Sequence, residues 1–356
     1  MEMPAAEQVQ AWLIDLPMVH AFTSARSALR RRRIVVLSVA RSGTTGWGEA
    51  APVSGHTDES ADEIWSVLRL LLAEHGPGAA TVAEGMLAAA FAQAADDISA
   101  KLSDKPLWQR FRGTPEIVPS AAIGVDSSGR PDVRQIDAAT ASGYSNMKLK
   151  VTPRCEPGYL RRIVGMNPGS SFGADANGSF DRSHLALLEA IDAVGLAYLE
   201  QPGNRNDLPF HRDLRTQLQT PVALDESAAK ADGIARILAA EAADVITLKV
   251  GLLGGSRALR LAESIAAEGV GVRLGGLIES GIGRAHTAAL AGNPVFAWPN
   301  DIAASDRYFR DDLVRPQWRI ANGMLALPDA PGIGVAVDRD ALEAHSLARL
   351  STMESG

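Results

Sequence analysis

The sequence predicts an α/β protein: a (β/α)8 TIM-like barrel with an α+β capping domain formed by the N-terminal region and the C-terminal tail. Two observations lead there. First, charged residues recur at a nearly constant period. After Lys148 and Lys150 come Asp175, Glu200, Asp225 and Lys249, at steps of 25, 25, 25 and 24 residues. Each stands at or just past the end of a short apolar run, in MKLKV, SSFGAD, LAYLE, PVALD and DVITLKV. Second, these runs alternate with amphipathic stretches such as SHLALLEAIDAVG and SRALRLAESIAAEG. That alternation is the pattern of parallel strands joined by crossover helices.

Taken in order, residues 10–53 read as antiparallel strands. QAWLIDLPM and RIVVLSVA are apolar runs, and the Gly-punctuated ARSGTTGWGEA turns into a third strand. The basic run Arg30 to Arg33 reads as a solvated strand entry. Residues 58–112 carry helical i, i+3, i+4 apolar spacing in two blocks, separated by Gly76-Pro77-Gly78. Barrel strands are expected to start near 119, 147, 172, 196, 221, 245, 271 and, at PVFAW, 294. The capping domain is therefore expected over 1–118, completed by 310–356, and the barrel over 119–309.

Composition excludes several classes of function. A net charge of −7 gives no electrostatic case for nucleic acid. No uncharged apolar run approaches the ~18 residues of a membrane span. The N-terminal MEMPAAEQVQ has acidic residues and no basic leader, so a cytoplasmic protein is the expectation. The single Cys155 cannot form an intrachain disulfide and reads as structural. The oligomeric state stays open, a homo-oligomer included.

The ladder carries the chemistry. Asp175, Glu200 and Asp225 end three successive strands, so they project from neighbouring points of one rim. Three oxygen donors without Cys or His suit a hard cation, Mg2+ or Mn2+. The bland alternative for Asp225 and Ser227 is a helix cap. Lys148 and Lys150 flank Leu149, so both face the barrel interior. Side by side, two ammonium groups repel, which favours release of a proton from one of them. Lys249 points inward from the sixth strand, across the barrel from Lys150 on the second. Lysines inside apolar strands are rare without a task or a partner. A cation between two opposed lysines fits removal of the proton α to a carboxylate, with the ion stabilising the enediolate. A barrel that binds a ligand without catalysis would be expected to break the ladder, and no rung is missing.

At these residues the chain resembles the enolase superfamily, in its muconate-lactonizing subgroup, over nearly its whole length. Members of that superfamily pair a lysine or histidine base with bound Mg2+ in just this chemistry. GWGEAAP (46–52), the helix leading to the barrel (88–113), MKLKV, GADANGSF, YLEQP, ALDES and TLKVG all match the pattern. The resemblance implies Asp175, Glu200 and Asp225 as Mg2+ ligands, Lys150 and Lys249 as acid/base residues, and Lys148 as their helper. GGLIESGIGRAHTAALAG (275–292) and NDIAASDRYFRDDLV (300–314) resemble o-succinylbenzoate synthases, in the branch that also racemises N-succinylamino acids. The substrate implied is a small carboxylate. It would be touched by Phe22 and Ser24 of the covering loop HAFTSARSA (20–28) and by Asn177, Gly276, Glu279, Ser280 and Ser305. The implied reaction is a Mg-dependent dehydration of 2-succinyl-6-hydroxy-2,4-cyclohexadiene-1-carboxylate in menaquinone biosynthesis. Two-base racemisation of N-succinylamino acids is the alternative, and a cycloisomerase ranks lower. The Asp-x-Asp by which dipeptide epimerases bind the substrate amine is missing, because Asp301 is followed by Ile302 and Ala303.

Overall fold

The structure, a computed structural model, describes residues 6–23, 28–53, 57–229 and 231–352 of the 356-residue chain. Strands β1 (Gln8–Thr23), β2 (Ala28–Arg41) and β3 (Thr44–Ala50) form an antiparallel meander. The C-terminal strand Ser346–Ser351 returns to pair with β1, Gln10 opposite Ser351. This four-stranded sheet buries its centre along β2. Ile34 to Leu37 are fully buried, and Arg31 and Arg33 pair outside with Asp15 and Asp62. The basic run is not wholly a solvated entry, however, because Arg32 is buried.

Two helices cover the sheet. Helix α1 (Ala61–His75) starts at a capping box, where Ser60 and Glu63 satisfy each other's backbone N–H groups. Helix α2 (Gly85–Leu102) lies against β3 at close range because Gly46 and Gly48 have no side chain. Buried Asp97 of α2 accepts from the backbone N–H of Trp47 at 3.0 Å and of Ile333 at 2.8 Å. One carboxylate thus fastens the helix to both the sheet and the C-terminal tail.

Seven parallel strands make a curled sheet in sequential order. They are Ser120–Ile123, Asn146–Lys150, Ser171–Asp175, Leu199–Glu200, Val222–Leu224, Val245–Leu248 and Gly271–Leu274. The strand expected at 294–298 does not form. Pro294 and Pro299 bracket it and lack the N–H groups a ladder needs. The seam is closed just beyond it. Asp301 donates its N–H to the Leu274 carbonyl at 2.8 Å, and Ser120 donates to Ile302 at 2.9 Å. Asn300 reinforces this by accepting from the Leu274 N–H at 2.7 Å.

Among the described residues no helix is long and apolar enough to cross a membrane. Cys155 is buried, and burial pushes its thiol up to about 12, an inert state.

Replacing Gly48 by Ala should test the close approach of α2. The new Cβ would run into the Ala90 carbonyl oxygen. Overpacking of this kind costs about 1–3 kcal/mol, occasionally more. An unchanged urea midpoint for Gly48→Ala would show that helix and strand can separate freely.

Candidate active site

The parallel register brings the ladder to one end of the sheet. Lys150 is paired with Asp175, and Asp175 with Glu200, so three charged groups from adjacent strands stand in one row. Glu200 is in turn opposite Ala223, which places Asp225 two residues further along. Side chains two apart on a strand share a face, so Lys148 and Lys150 enter the barrel together while Leu149 is buried on the other side.

Lys148 Nζ stands 3.2 Å from Asp175 Oδ2, 2.9 Å from Glu200 Oε2 and 2.6 Å from Asp301 Oδ2. Lys150 donates to Asp175 Oδ2 at 2.7 Å and to Asn177 Oδ1 at 2.9 Å. Lys249 donates to Asp225 Oδ2 at 2.7 Å. The alternative reading of Asp225 as a helix cap is not realised, since its side chain makes no capping bond. Repulsion between Lys148 and Lys150 is offset because both ammonium groups contact the same Asp175 oxygen.

The electrostatics follow from burial and pairing. Burial opposes the charge on Lys148, but Asp301, Glu200 and Asp175 outweigh it and hold its pKa well above the ordinary value. Burial likewise opposes Lys249, and Asp225 overcomes it, so its pKa is raised. Burial works against the Glu200 carboxylate, yet Arg273 and Lys148 keep its pKa low. On the Asp225 side the balance reverses. Burial raises the Asp225 pKa against the pull of Lys249, with Glu200 adding to the rise. Burial, Asp225 and Asp175 push neighbouring Glu226 up to about 7.

A cavity of about 50 Å³ lies over this cluster, lined by Lys148, Lys150, Asp225, Lys249 and Asp301 among others. Gly276 and Glu279 also line it. Asn177 accepts from Lys150 and donates, at 3.1 Å, to Glu226. Ser280 and Ser305 are turned elsewhere. Ser280 donates to Glu49 of β3, and Ser305 donates to Asp312 and accepts from Arg284. Phe22 belongs to β1, its backbone paired with Leu29, and Ser24 lies outside the described residues.

Three groups escaped the sequence reading, and a fourth, Asp301, was noted only for the motif it does not complete. Arg273 is fully buried and pairs with Glu200 Oε1 at 2.6 Å, while also donating to the Tyr198 hydroxyl at 3.0 Å. Thr247 donates to the same Glu200 oxygen at 2.8 Å. Both carried a usable signal. Arg273 is a charge inside the apolar run GVRLGGL, and Thr247 is two residues from Lys249 and so on its face. Asp301 was visible only as half of the missing Asp-x-Asp, and Glu226 opens the 3-10 turn Glu226–Ala228 just past a strand end, where no strand periodicity applies.

Among the described residues no three His, Cys, Asp or Glu side chains form a ready-made cation site, since the lysines are drawn in among the carboxylates. The donor set itself, Asp175, Glu200 and Asp225, is the all-oxygen kind that hard divalent cations take.

A barrel under an α+β cap, with paired lysines and carboxylates at the strand ends, defines the class. The chain belongs to the enolase superfamily: residues 132–341 match the family described as Enolase C-terminal domain-like. It is 32% identical over 351 residues to an o-succinylbenzoate synthase of Geobacillus stearothermophilus, covering 94% of both chains. It is 29% identical to an N-succinylamino acid racemase of Thermus thermophilus, over 92% of this chain and 94% of that one. A solved structure of an enolase superfamily member from Listeria innocua superposes with a TM-score of 0.88 at 27% identity, covering 99% of this chain and 100% of that one.

Arg273→Met should remove one of the two cations that pair with the buried Glu200, leaving Lys148 as the other. Breaking a buried pair costs up to about 3–5 kcal/mol, and the remaining pair with Lys148 sets the loss toward the lower end. Equilibrium unfolding of the variant measures it, and a loss below about 1 kcal/mol, the scale of a surface pair, would remove Arg273 from the framework of the site.

Proposed function

We propose that this protein is an o-succinylbenzoate synthase-like lyase, dehydrating 2-succinyl-6-hydroxy-2,4-cyclohexadiene-1-carboxylate to o-succinylbenzoate on the way to menaquinone. The observation that carries the reading is the placement of Lys150 and Lys249, which enter one cavity from the second and sixth barrel strands with Asp225 between them in sequence and on its wall. The o-succinylbenzoate synthase relatives, similar over nearly the full chain, support the choice of substrate.

Asp175, Glu200 and Asp225 are the residues that would hold a divalent cation, Mg2+ or Mn2+. Three carboxylates at the ends of adjacent strands fit it, being the all-oxygen donors a hard cation takes. When bound, the cation would supply Lewis-acid stabilisation of charge on the substrate carboxylate.

The chain's own groups do the rest. Lys150 Nζ, as the neutral amine, takes the proton α to the carboxylate, and the electron pair of that C–H bond passes into the enediolate. Lys148, held cationic by three carboxylates, lies beside the developing negative charge. The enediolate then reforms the carboxylate as the C–O bond to the 6-hydroxyl breaks. Lys150 returns its proton to the departing oxygen, and water leaves. The ring becomes aromatic, which makes the step favourable. Lys249, cationic through Asp225, faces the intermediate from the other side.

A second reading has its own support. Two lysines in one cavity suit racemisation of an N-succinylamino acid, each serving one enantiomer, and the Thermus thermophilus relative bears that name.

Removing a positioned general base costs about 10²–10⁴ in rate. Lys150→Ala should therefore abolish dehydration measured by o-succinylbenzoate formation, and chelation of divalent cations should do the same reversibly. Wild-type turnover in Lys150→Ala would sink the assignment. Lys249→Arg separates the two reactions. It should keep most dehydration while racemisation of an N-succinylamino acid is lost, with deuterium exchange at Cα surviving only for the enantiomer that Lys150 serves.

A further inference from the structure

The cavity wall formed by Leu277, Ile278 and Glu279 is not held by the barrel alone. Ile278 has φ +54°, a left-handed conformation that is a genuine outlier for a β-branched residue and persists only where the surroundings enforce it. The enforcing group comes from the cap. Arg32 of β2 is 3% exposed, and its guanidinium donates to three backbone carbonyls: Leu277 at 3.0 Å, Ile278 at 3.2 Å and Pro52 at 2.8 Å. It bonds no carboxylate side chain among the described residues. Burial lowers its pKa to about 10, and Glu49 and Glu279 at longer range offset only part of that cost.

The far end of the same segment is held from β3. Buried Glu49 accepts from the N–H groups of Ser280 at 2.9 Å and Gly283 at 3.0 Å, at the start of the helix Gly281–Ala291. Burial pushes the Glu49 carboxyl up to about 7 against these hydrogen bonds, and its carboxylate form is favoured by the helix N-terminus. Two strands of the cap therefore grip the two ends of one cavity-lining segment.

We propose that Arg32 is a positioning residue for the reaction site: its three-carbonyl bond sets residues 277–279, so the capping domain builds the substrate-facing wall. The inference takes the cavity as the reaction site and is indifferent to which of the two substrates is turned over. Arg is required because its planar fork presents donors in several directions at once, whereas a lysine ammonium is a single point.

The test uses the full-length protein with Arg32→Met and Arg32→Lys. For Arg32→Met, KM should rise about tenfold, the factor that corresponds to 1.4 kcal/mol, while kcat falls less than about threefold. Arg32→Lys should recover part of the loss. Amide hydrogen exchange at 277–283 should quicken about tenfold in Arg32→Met, with exchange in the β1–β3 sheet unchanged. Lowered stability with unchanged KM, or exchange quickened equally across the whole cap, would overturn the proposal and leave Arg32 as packing. If the wild type turns over neither substrate, the proposed reaction fails. The exchange measurement still decides Arg32.

Discussion

Lys148 is the point on which the site depends. Its ammonium lies within 3.2 Å of three carboxylates that come from different parts of the barrel: the third strand, the fourth strand and the closing segment at Asp301. Charges buried this deeply are tolerable only in pairs, because desolvation of a lone ion costs several kcal/mol. The pairing therefore fixes more than electrostatics. It requires those strands to be in register, and it requires the seam near Asp301 to be closed. Arg273 extends the same constraint outward, joining Glu200 to Tyr198 and, through the Pro299 carbonyl at 2.8 Å, to the segment that replaces an eighth strand.

The short closing segment makes sense in that light. With Pro294 and Pro299 on either side, it cannot offer a regular row of N–H donors. Single bonds from Asp301 and Ser120, with the Asn300 side chain, complete the ring. Asp301 is then placed by backbone closure and held by a salt bridge, so barrel closure and the charge network stabilise each other.

The capping domain is tied in by the same kind of interaction. Asp97, Glu49 and Arg32 are buried charged groups, and each bonds backbone atoms of segments distant in sequence. Each would be costly to leave unsatisfied, so cap and barrel are each incomplete without the other. The cavity opens where they meet, and its wall is drawn from both sides. Recognition of a substrate and docking of the cap are thereby linked through Arg32 and the 277–279 segment.

The sequence alone determined the strands that carry Lys148, Lys150, Asp175, Glu200, Asp225 and Lys249, and their common end, because strand alternation and a 25-residue period are local signals. A lysine two positions from another must share its face, whatever surrounds it. Arg273 and Thr247 were legible by the same rule. What only the tertiary structure decided is everything that depends on contacts between distant segments. Asp301 joins the cluster through ring closure, Arg32 leaves its basic run to enter the cap–barrel junction, and Ser280 and Ser305 turn to Glu49 and Asp312 rather than to the cavity. The physical reason is that periodicity reports which face a residue presents, while its partner is set by the other element packed on that face.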